Sequence, residues 1–537
     1  MNRETESHFA NLPDIDIKRS IFKRPNTHKT SLNAGSIIPI YVDSDILPGD
    51  TVKMNMGSLL RMQTPLFPVM DNAYCDIMFF FIPHRLIWEH WKEFWGENNL
   101  TAWEQQVEYE IPQIEPPSGG WNAGTIADYM GIPIGVDGFT VSALPFRAYV
   151  KMWNDWFRDE NLKDPAMITL DETLTQGANT GDYVTYAECG AEPLKAAKFH
   201  DYFTSALKAP QKGPSVQLPL GSSAPIVGGE LDSGWSGMST WSGAIDKNLS
   251  LVRGNNGYEF GFEGNTPNGN QGVDLVADLS NAIGATINQL RQSFAIQAFY
   301  EAQARGGSRY IEFIKNIFGV TSPDGRLQRS EYLGGTRFNI NMDQVLQTSA
   351  TDQTSPQGNT AAFSCTVSTD EIFTHSFVEH GTLLGVAVIR TDHTYQQGIN
   401  RMWSRKKWTD FYVPQLANLG EMAILEKEIY VSGTQSDDEA VFGYQEAWAD
   451  YRYMPNRISG ELRSTYAQSL DYMHYGDDYS QAPTLSSSWI DETEANIDRT
   501  IAVQSSTSNQ FFADFYFDST YVRPMPIYSI PAMLNHF

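Results

Sequence analysis

Histidines at short spacing are the first place to look for metal or acid–base chemistry, and this chain has two such pairs. His84 and His90 lie six residues apart around Trp88. His375 and His380 lie five apart across SFVE, with Glu371, Glu379, Asp392 and His393 nearby. The second group is the most metal-like in the chain, and the alternative is a set of histidines in polar positions at strand edges. Acidic runs at Asp437, Asp438 and Glu439, at Asp477 and Asp478, and from Asp491 to Glu494 carry the oxygen donors that a hard divalent cation needs, although solvated loops carry them too. No metal or other cofactor is assigned, and a bound divalent ion is left open.

Nucleotide and hydrolase signatures are missing. The chain has no GxxxxGK[ST] phosphate loop, no GxGxxG, no HExxH and no GxSxG nucleophile elbow. Thirteen tryptophans and many carboxylates keep a carbohydrate-active β-sandwich imaginable. Glycoside hydrolysis needs two carboxylates at a set separation, and nothing in the sequence singles out such a pair.

Basic residues are more informative. The segment RTDHTYQQGINRMWSRKKWTDFY sets Arg401, Arg405, Lys406 and Lys407 beside Trp403, Trp408, Tyr395 and Tyr412. Cations interleaved with aromatics are what a single-strand nucleic-acid surface uses, charge for the backbone and rings for the bases. The same pattern also serves ion pairing within or between subunits. A second basic group, Lys18, Arg19, Lys23, Arg24 and Lys29, lies in a polar segment around PDIDI. It reads as an extended arm that orders against a neighbour or a ligand.

These clusters stand out because the chain as a whole is acidic, with a formal charge of −26. Such a protein is not steered bodily toward phosphate, so any nucleic-acid contact has to be local. Three widely separated cysteines, Cys75, Cys189 and Cys365, suggest neither a disulfide framework nor a ligand knuckle. The first twenty residues contain no apolar run of the secretory type, and the densest apolar stretch, IMFFFI at 77–82, is far too short to span a membrane.

The elements that must position these residues are mainly strands. SIIPIYVDSDILPGDTVKMNMGSLLRM from residue 36 alternates short apolar runs with a Pro-Gly turn. NAYCDIMFFFIP is a near-continuous buried strand that Pro83 should end, and LLGVAVIR at 383–390 is another. FFADFYFDSTYVRPMPIYSIP at 511–531 is aromatic and β-branched, and its prolines predict an edge strand followed by an extended tail. Helical spacing is found after Pro83 (Leu86, Ile87, His90, Trp91, Phe94, Trp95) and in LPFRAYVKMWNDWFRDE at 144–160; these two aromatic stretches should form one packing unit. INQLRQSFAIQAFYEAQARGG is the clearest helix, stopped at Gly306 and Gly307, and SRYIEFIKNIFG should follow it with Ser308 as cap.

Regular strand–helix alternation is absent, so the pattern predicts a mainly β sandwich with long helical and loop insertions. Residues 210–290 hold 14 of the 42 glycines, have few charges and show no fixed repeat. A segment this long without a core of its own reads as a surface insertion, in which Trp235, Trp241, Tyr258 and Phe260 supply anchor area for an interface. The chain therefore divides into an arm (1–35), first strands with helical insertions (36–209), the glycine-rich insertion (210–290), and a last part (291–537) with a helical pair, further strands and a C-terminal tail.

Five long segments carry a family resemblance: SHFANLPDIDIKRSIF at 7–22, DIMFFFIPHRLIWEHWKEFWGEN at 76–98, FIKNIFGVTSPDGRLQRSEYLGG at 313–335, HTYQQGINRMWSRKKWTDFYVPQLANLG at 393–420 and FGYQEAWADYRYMPNRISGELR at 442–463. Over essentially its whole length the chain resembles the major capsid proteins of gokushoviruses, the microvirus branch of small tailless phages with circular single-stranded DNA. The resemblance implies an eight-stranded viral jelly roll and sixty copies in a T=1 icosahedral shell assembled in the bacterial cytoplasm. It also implies a protrusion at each threefold axis that meets the host receptor, for which residues 210–290 are the natural candidate, with Trp235, Trp241, Tyr258 and Phe260 as the receptor-facing residues. A small basic DNA-binding protein and a pilot protein are implied as companions inside the virion, and they would relieve an acidic coat of neutralising the genome alone. The expectation is a structural protein, not an enzyme.

Overall fold

A computed structural model describes residues 18–95, 107–213, 287–306, 328–349 and 356–528, a few isolated positions, and short strands at 226–228, 249–254, 257–262 and 275–277. Contacts divide the chain into two units, one formed by Met1–Pro210 with Arg305–Phe537 and the other by Gln211–Ala304.

Among the described residues, the two large sheets of the first unit are made of nine strands: β1 (Ser20–Lys23), β2 (Asn26–Leu32), β3 (Ile38–Ile46), β4 (Thr51–Met62), β5 (Ala73–Pro83), β6 (Glu331–Asn339), β7 (Thr366–Ser376), β8 (Gly381–Thr391) and β9 (Phe511–Arg523). β1 and β2 pair with successive parts of β9, so together they fill one lane at a sheet edge. One sheet runs β1/β2–β9–β4–β7 and the other β6–β5–β8–β3, with every neighbour antiparallel. Numbered along the chain, the lanes lie in the orders 1-8-3-6 and 2-7-4-5, the double Greek-key arrangement of a jelly roll.

Periodicity explains which strand lies where. β4 alternates between buried and exposed positions along its whole length, so its sheet has one wet face. β8 is buried at nearly every position because both of its faces are covered. On one side, Leu383, Ala387 and Ile389 join Phe79, Val52, Met54, Phe515 and Phe517 in the core between the sheets. On the other, Leu384, Val386 and Val388 pack with Phe80, Trp88, Trp121 and helix α1 (Leu144–Trp156), which contributes Phe146, Tyr149 and Trp153.

The two aromatic stretches expected to pack together do share this second core. The stretch after Pro83 is broken into a turn at His84–Leu86 and one helical turn at Trp91–Phe94.

Two expectations from the sequence are corrected. Residues 20–32 of the supposed arm are strands of the sandwich. Their alternation puts Lys23 and Lys29 on the wet face while Leu32 is buried, which is why the segment looks polar without being loose. β9 is an internal strand between β4 and β1/β2, because Pro524 and Pro526 lie beyond its last residue and remove no ladder hydrogen bond.

In the second unit, Leu249–Gly254 pairs with Gly257–Phe262 as a ribbon, and Ile226–Gly228 pairs with Leu275–Ala277. Helix α2 runs from Ile287 to Gly306, ending at the predicted glycine. Gly307, Ser308 and most of the second predicted helix lie outside the described residues.

Candidate nucleic-acid interface

The basic and aromatic segment lies in the long connection between β8 and β9, where two capped turns hold it. The Asn400 side chain accepts the Met402 N–H at 2.9 Å and starts a turn over Arg401–Trp403. The Asp410 carboxylate accepts the N–H groups of both Lys406 and Lys407 at 2.8 Å. Those backbone donors, with Lys407 near, hold its carboxyl below the usual range. Side chains that cannot turn inward project outward: Trp403 is 75% exposed and Trp408 72%, with Lys406 and Lys407 exposed between them.

Two of the four cations are already engaged. Arg401 donates to the Ala423 carbonyl at 2.8 Å and pairs with Glu428 at 3.4 Å. Burial pushes the Glu428 carboxyl up, against the pull of Arg401. Arg405 forms an ion pair with Asp450 and lies over the Tyr451 ring, 4.3 Å from its centre. A cavity of about 720 Å³ opens beside Arg401, lined by Tyr202, Tyr395, Trp403, Glu428, Asp450 and Tyr453 among others. Its two carboxylates are the ones held by arginines, so neither is the free acid that glycoside hydrolysis requires.

At the other basic group, Arg24 pairs with Asp43 at 2.6 Å, and Lys29 with Asp514 at 3.1 Å. Lys18, Arg19 and Lys23 are exposed and form no ion pair among the described residues.

The family model described as "Capsid protein (F protein)" matches residues 10–533. The chain belongs to the F capsid protein family. It is 41% identical to capsid protein VP1 of Spiroplasma virus 4 over 98% of this chain and 97% of that one. It is also 41% identical to capsid protein VP1 of Bdellovibrio phage phiMH2K over 100% and 99%, and 34% identical to that of Chlamydia phage 1 over 98% of each. It is thus a Microviridae major capsid protein, a structural protein and not an enzyme.

Most of the histidines and carboxylates that the sequence singled out have partners within the subunit of this capsid protein. His375 lies 3.8 Å from Glu331, His380 stacks on Trp95, Glu379 takes two hydrogen bonds from Arg85, and Asp392 accepts from the Tyr74 hydroxyl at 2.9 Å. His84 meets Thr382, and His90 meets Glu172 at 2.6 Å. Among the described residues no three of them converge as metal ligands. Of the acidic runs, Asp438 accepts the Ser432 N–H, Asp491 pairs with Lys163 and Glu494 with Lys195.

His393 is the tie that the sequence concealed. Its Nδ1–H donates to Asp477 at 2.9 Å and its Nε2–H to Glu492 at 2.8 Å, with all three side chains buried. Burial alone would depress the imidazole, but the two carboxylates overcome this and raise it to about 10. Glu492 and Asp477 are remote from His393 in sequence, so spacing gave no signal.

Of the proposed receptor contacts, Trp235 and Trp241 lie outside the described residues. Tyr258 and Phe260 sit two apart on the ribbon strand Gly257–Phe262, opposite Arg253 and Leu251.

Proposed function

We propose that sixty copies of this capsid protein close into a T=1 icosahedral shell around a circular single-stranded DNA genome, assembled in the bacterial cytoplasm. The observation that carries the reading is end-to-end similarity to three phage capsid proteins, combined with a sandwich whose strand order is that of a viral jelly roll. A closed shell requires each subunit to present several distinct patches. The long connections between β5 and β6 and between β8 and β9 carry residues from which such patches can be built.

Genome contact is local in this reading. It falls to the cations that face solvent, Lys18, Arg19, Lys23, Lys406 and Lys407, with Trp403 and Trp408 as stacking rings. A net charge of −26 leaves most of the genome's charge to a small basic companion protein, and a pilot protein completes the particle. The glycine-rich insertion forms the protrusion, with Trp235, Trp241, Tyr258 and Phe260 offered to the host receptor.

Electron cryo-microscopy of purified particles, with the particle mass measured alongside, tests this. Closed shells of sixty subunits are expected. A uniform small oligomer would overturn the proposal.

A further inference from the structure

The wet face of the sheet β1/β2–β9–β4–β7 carries a chemistry that its role in the sandwich does not require. Alternation turns Lys53, Asn55, Gly57, Leu59 and Arg61 of β4 outward. On β9 it turns out Phe512, Asp514, Tyr516 and Asp518. The register sets Phe512 opposite Arg61, and Tyr516 between Gly57 and Thr27. Tyr516 and Phe512 are 48% and 42% exposed and stand four residues apart, about 13 Å at roughly 3.3 Å per residue.

Gly57 is the unusual member of this surface. A glycine inside a strand weakens it, and such glycines often mark the close approach of a ligand. A Cβ placed on Gly57 would meet nothing nearer than 3.9 Å, so packing does not demand glycine there. What the glycine does is leave no β4 side chain directly opposite the half-exposed Tyr516, a gap in the row of side chains on this face.

Charge completes the surface. Lys29 is paired with Asp514 at 3.1 Å and Lys53 with Glu371 at 2.9 Å. Asp518 is outward as well. Arg61 and Lys23 are exposed and form no ion pair among the described residues, in a chain of net charge −26.

We propose that this sheet face binds single-stranded DNA, with one base stacked on Tyr516 over Gly57, another on Phe512, and phosphates on Arg61 and Lys23. The proposal rests on the reading of the chain as the coat of a single-stranded genome. A sheet with exposed rings flanked by cations is a platform for extended single strands, whose phosphates and these charged side chains all stay hydrated on binding. A second copy docked flat on the face would have to strip water from the charges of Lys23, Lys29, Lys53, Arg61, Asp514, Asp518 and Glu371.

The test uses the full-length unassembled protein and a fluorescent thymidine 20-mer, with affinity read by anisotropy across a salt series. Gly57→Val fills the gap with a strand-favouring side chain. It should keep or raise the melting temperature while weakening binding about tenfold, a combination that a structural glycine would not give. Tyr516→Leu should weaken binding by a similar factor with the salt slope unchanged. Arg61→Gln should lower that slope by about 0.7.

Wild-type affinity and slope in all three variants, with a loss confined to Lys406→Gln/Lys407→Gln, would overturn the platform and leave genome contact standing elsewhere. No oligonucleotide binding by the wild type, together with no ultraviolet crosslink between coat and DNA in filled particles, would overturn genome contact itself. Equal protection of Tyr516 and Phe512 in empty and filled shells would assign the face to a neighbouring copy and also overturn the proposal.

Discussion

The hydroxyls of Tyr41 and Tyr521 meet at 2.7 Å between the two sheets, and Tyr521 also donates to Asp43 at 2.8 Å. One residue belongs to β3 and the other to β9, so the contact pins together strands that are 480 positions apart in the chain. Arg24 closes the cluster, paired to Asp43 and lying over the Tyr521 ring. Tyr521→Phe would leave a buried hydroxyl and a buried carboxylate each short of a partner. The expected loss is about 1–3 kcal/mol. Denaturant melts of purified subunits check it, and an unchanged midpoint would show that the cluster is incidental.

Truncation separates the arm from the sandwich. Removing residues 1–17 leaves both edge strands in place, and the subunit should stay folded and soluble. Removing residues 1–32 strips the edge lane and exposes the ladder of β9, with Phe512 and Tyr516 beside it. A long unpaired apolar edge seeks another strand, so this variant should aggregate. A monodisperse, folded subunit lacking residues 1–32 in sedimentation experiments would contradict the lane assignment.

How much of this was legible in the sequence depended on how many faces of an element are covered. β8 and α1 were readable because burial on both faces, or on one helical stripe, writes a strong local pattern. β1 and β2 were not, because only one face is buried and the other carries lysines that imitate a flexible arm. Pro524 and Pro526 suggested an edge that the neighbouring lane in fact fills, since prolines mark where a strand stops as well as where pairing is missing. The sequence left the cations of 401–407 open between nucleic acid and ion pairing, and Glu428 and Asp450, distant in sequence, take up Arg401 and Arg405. Local composition reports charge, whereas long-range pairing decides which charges remain free.

That division gives opposite expectations for neighbouring cations. Lys406→Gln with Lys407→Gln touches only exposed side chains and should leave stability within about 0.5 kcal/mol. DNA retention by particles at raised salt should fall. Arg405→Gln leaves Asp450 buried without its partner, a change that costs about 3–5 kcal/mol. Melting and retention measured on the same preparations distinguish the two. Full retention by the double lysine variant would remove this segment from the genome-facing surface.

Exchange of residues 225–275 for an unrelated loop tests the insertion. These residues fall within the second unit, Gln211–Ala304, and include neither the sandwich strands nor α1. Shells should therefore form at normal yield while adsorption to host cells drops. Failure to form shells, scored by negative-stain microscopy, would assign the insertion to architecture and not to attachment.

The buried tie at His393 makes stability depend on pH in a defined direction. The imidazole is held at about 10, above its ordinary 6.5, so its contribution is full below 6.5 and is lost as pH rises through 10. Burial would raise the Asp477 carboxyl, but the charge of His393 and its hydrogen bond bring it down to about 2. Its contribution is full above its ordinary 3.8 and is lost as pH falls through 2. Both contributions are therefore complete between about pH 4 and 6.5, and the high-pH limb belongs to the histidine. His393→Gln places a neutral side chain between two buried carboxylates and should cost about 3–5 kcal/mol at pH 6. The penalty should shrink as pH climbs toward 10, because the wild type loses the same charge there. Melts of both proteins from pH 5 to 10 give the comparison, and parallel curves would mean that His393 is not the cation that holds Asp477 and Glu492 together.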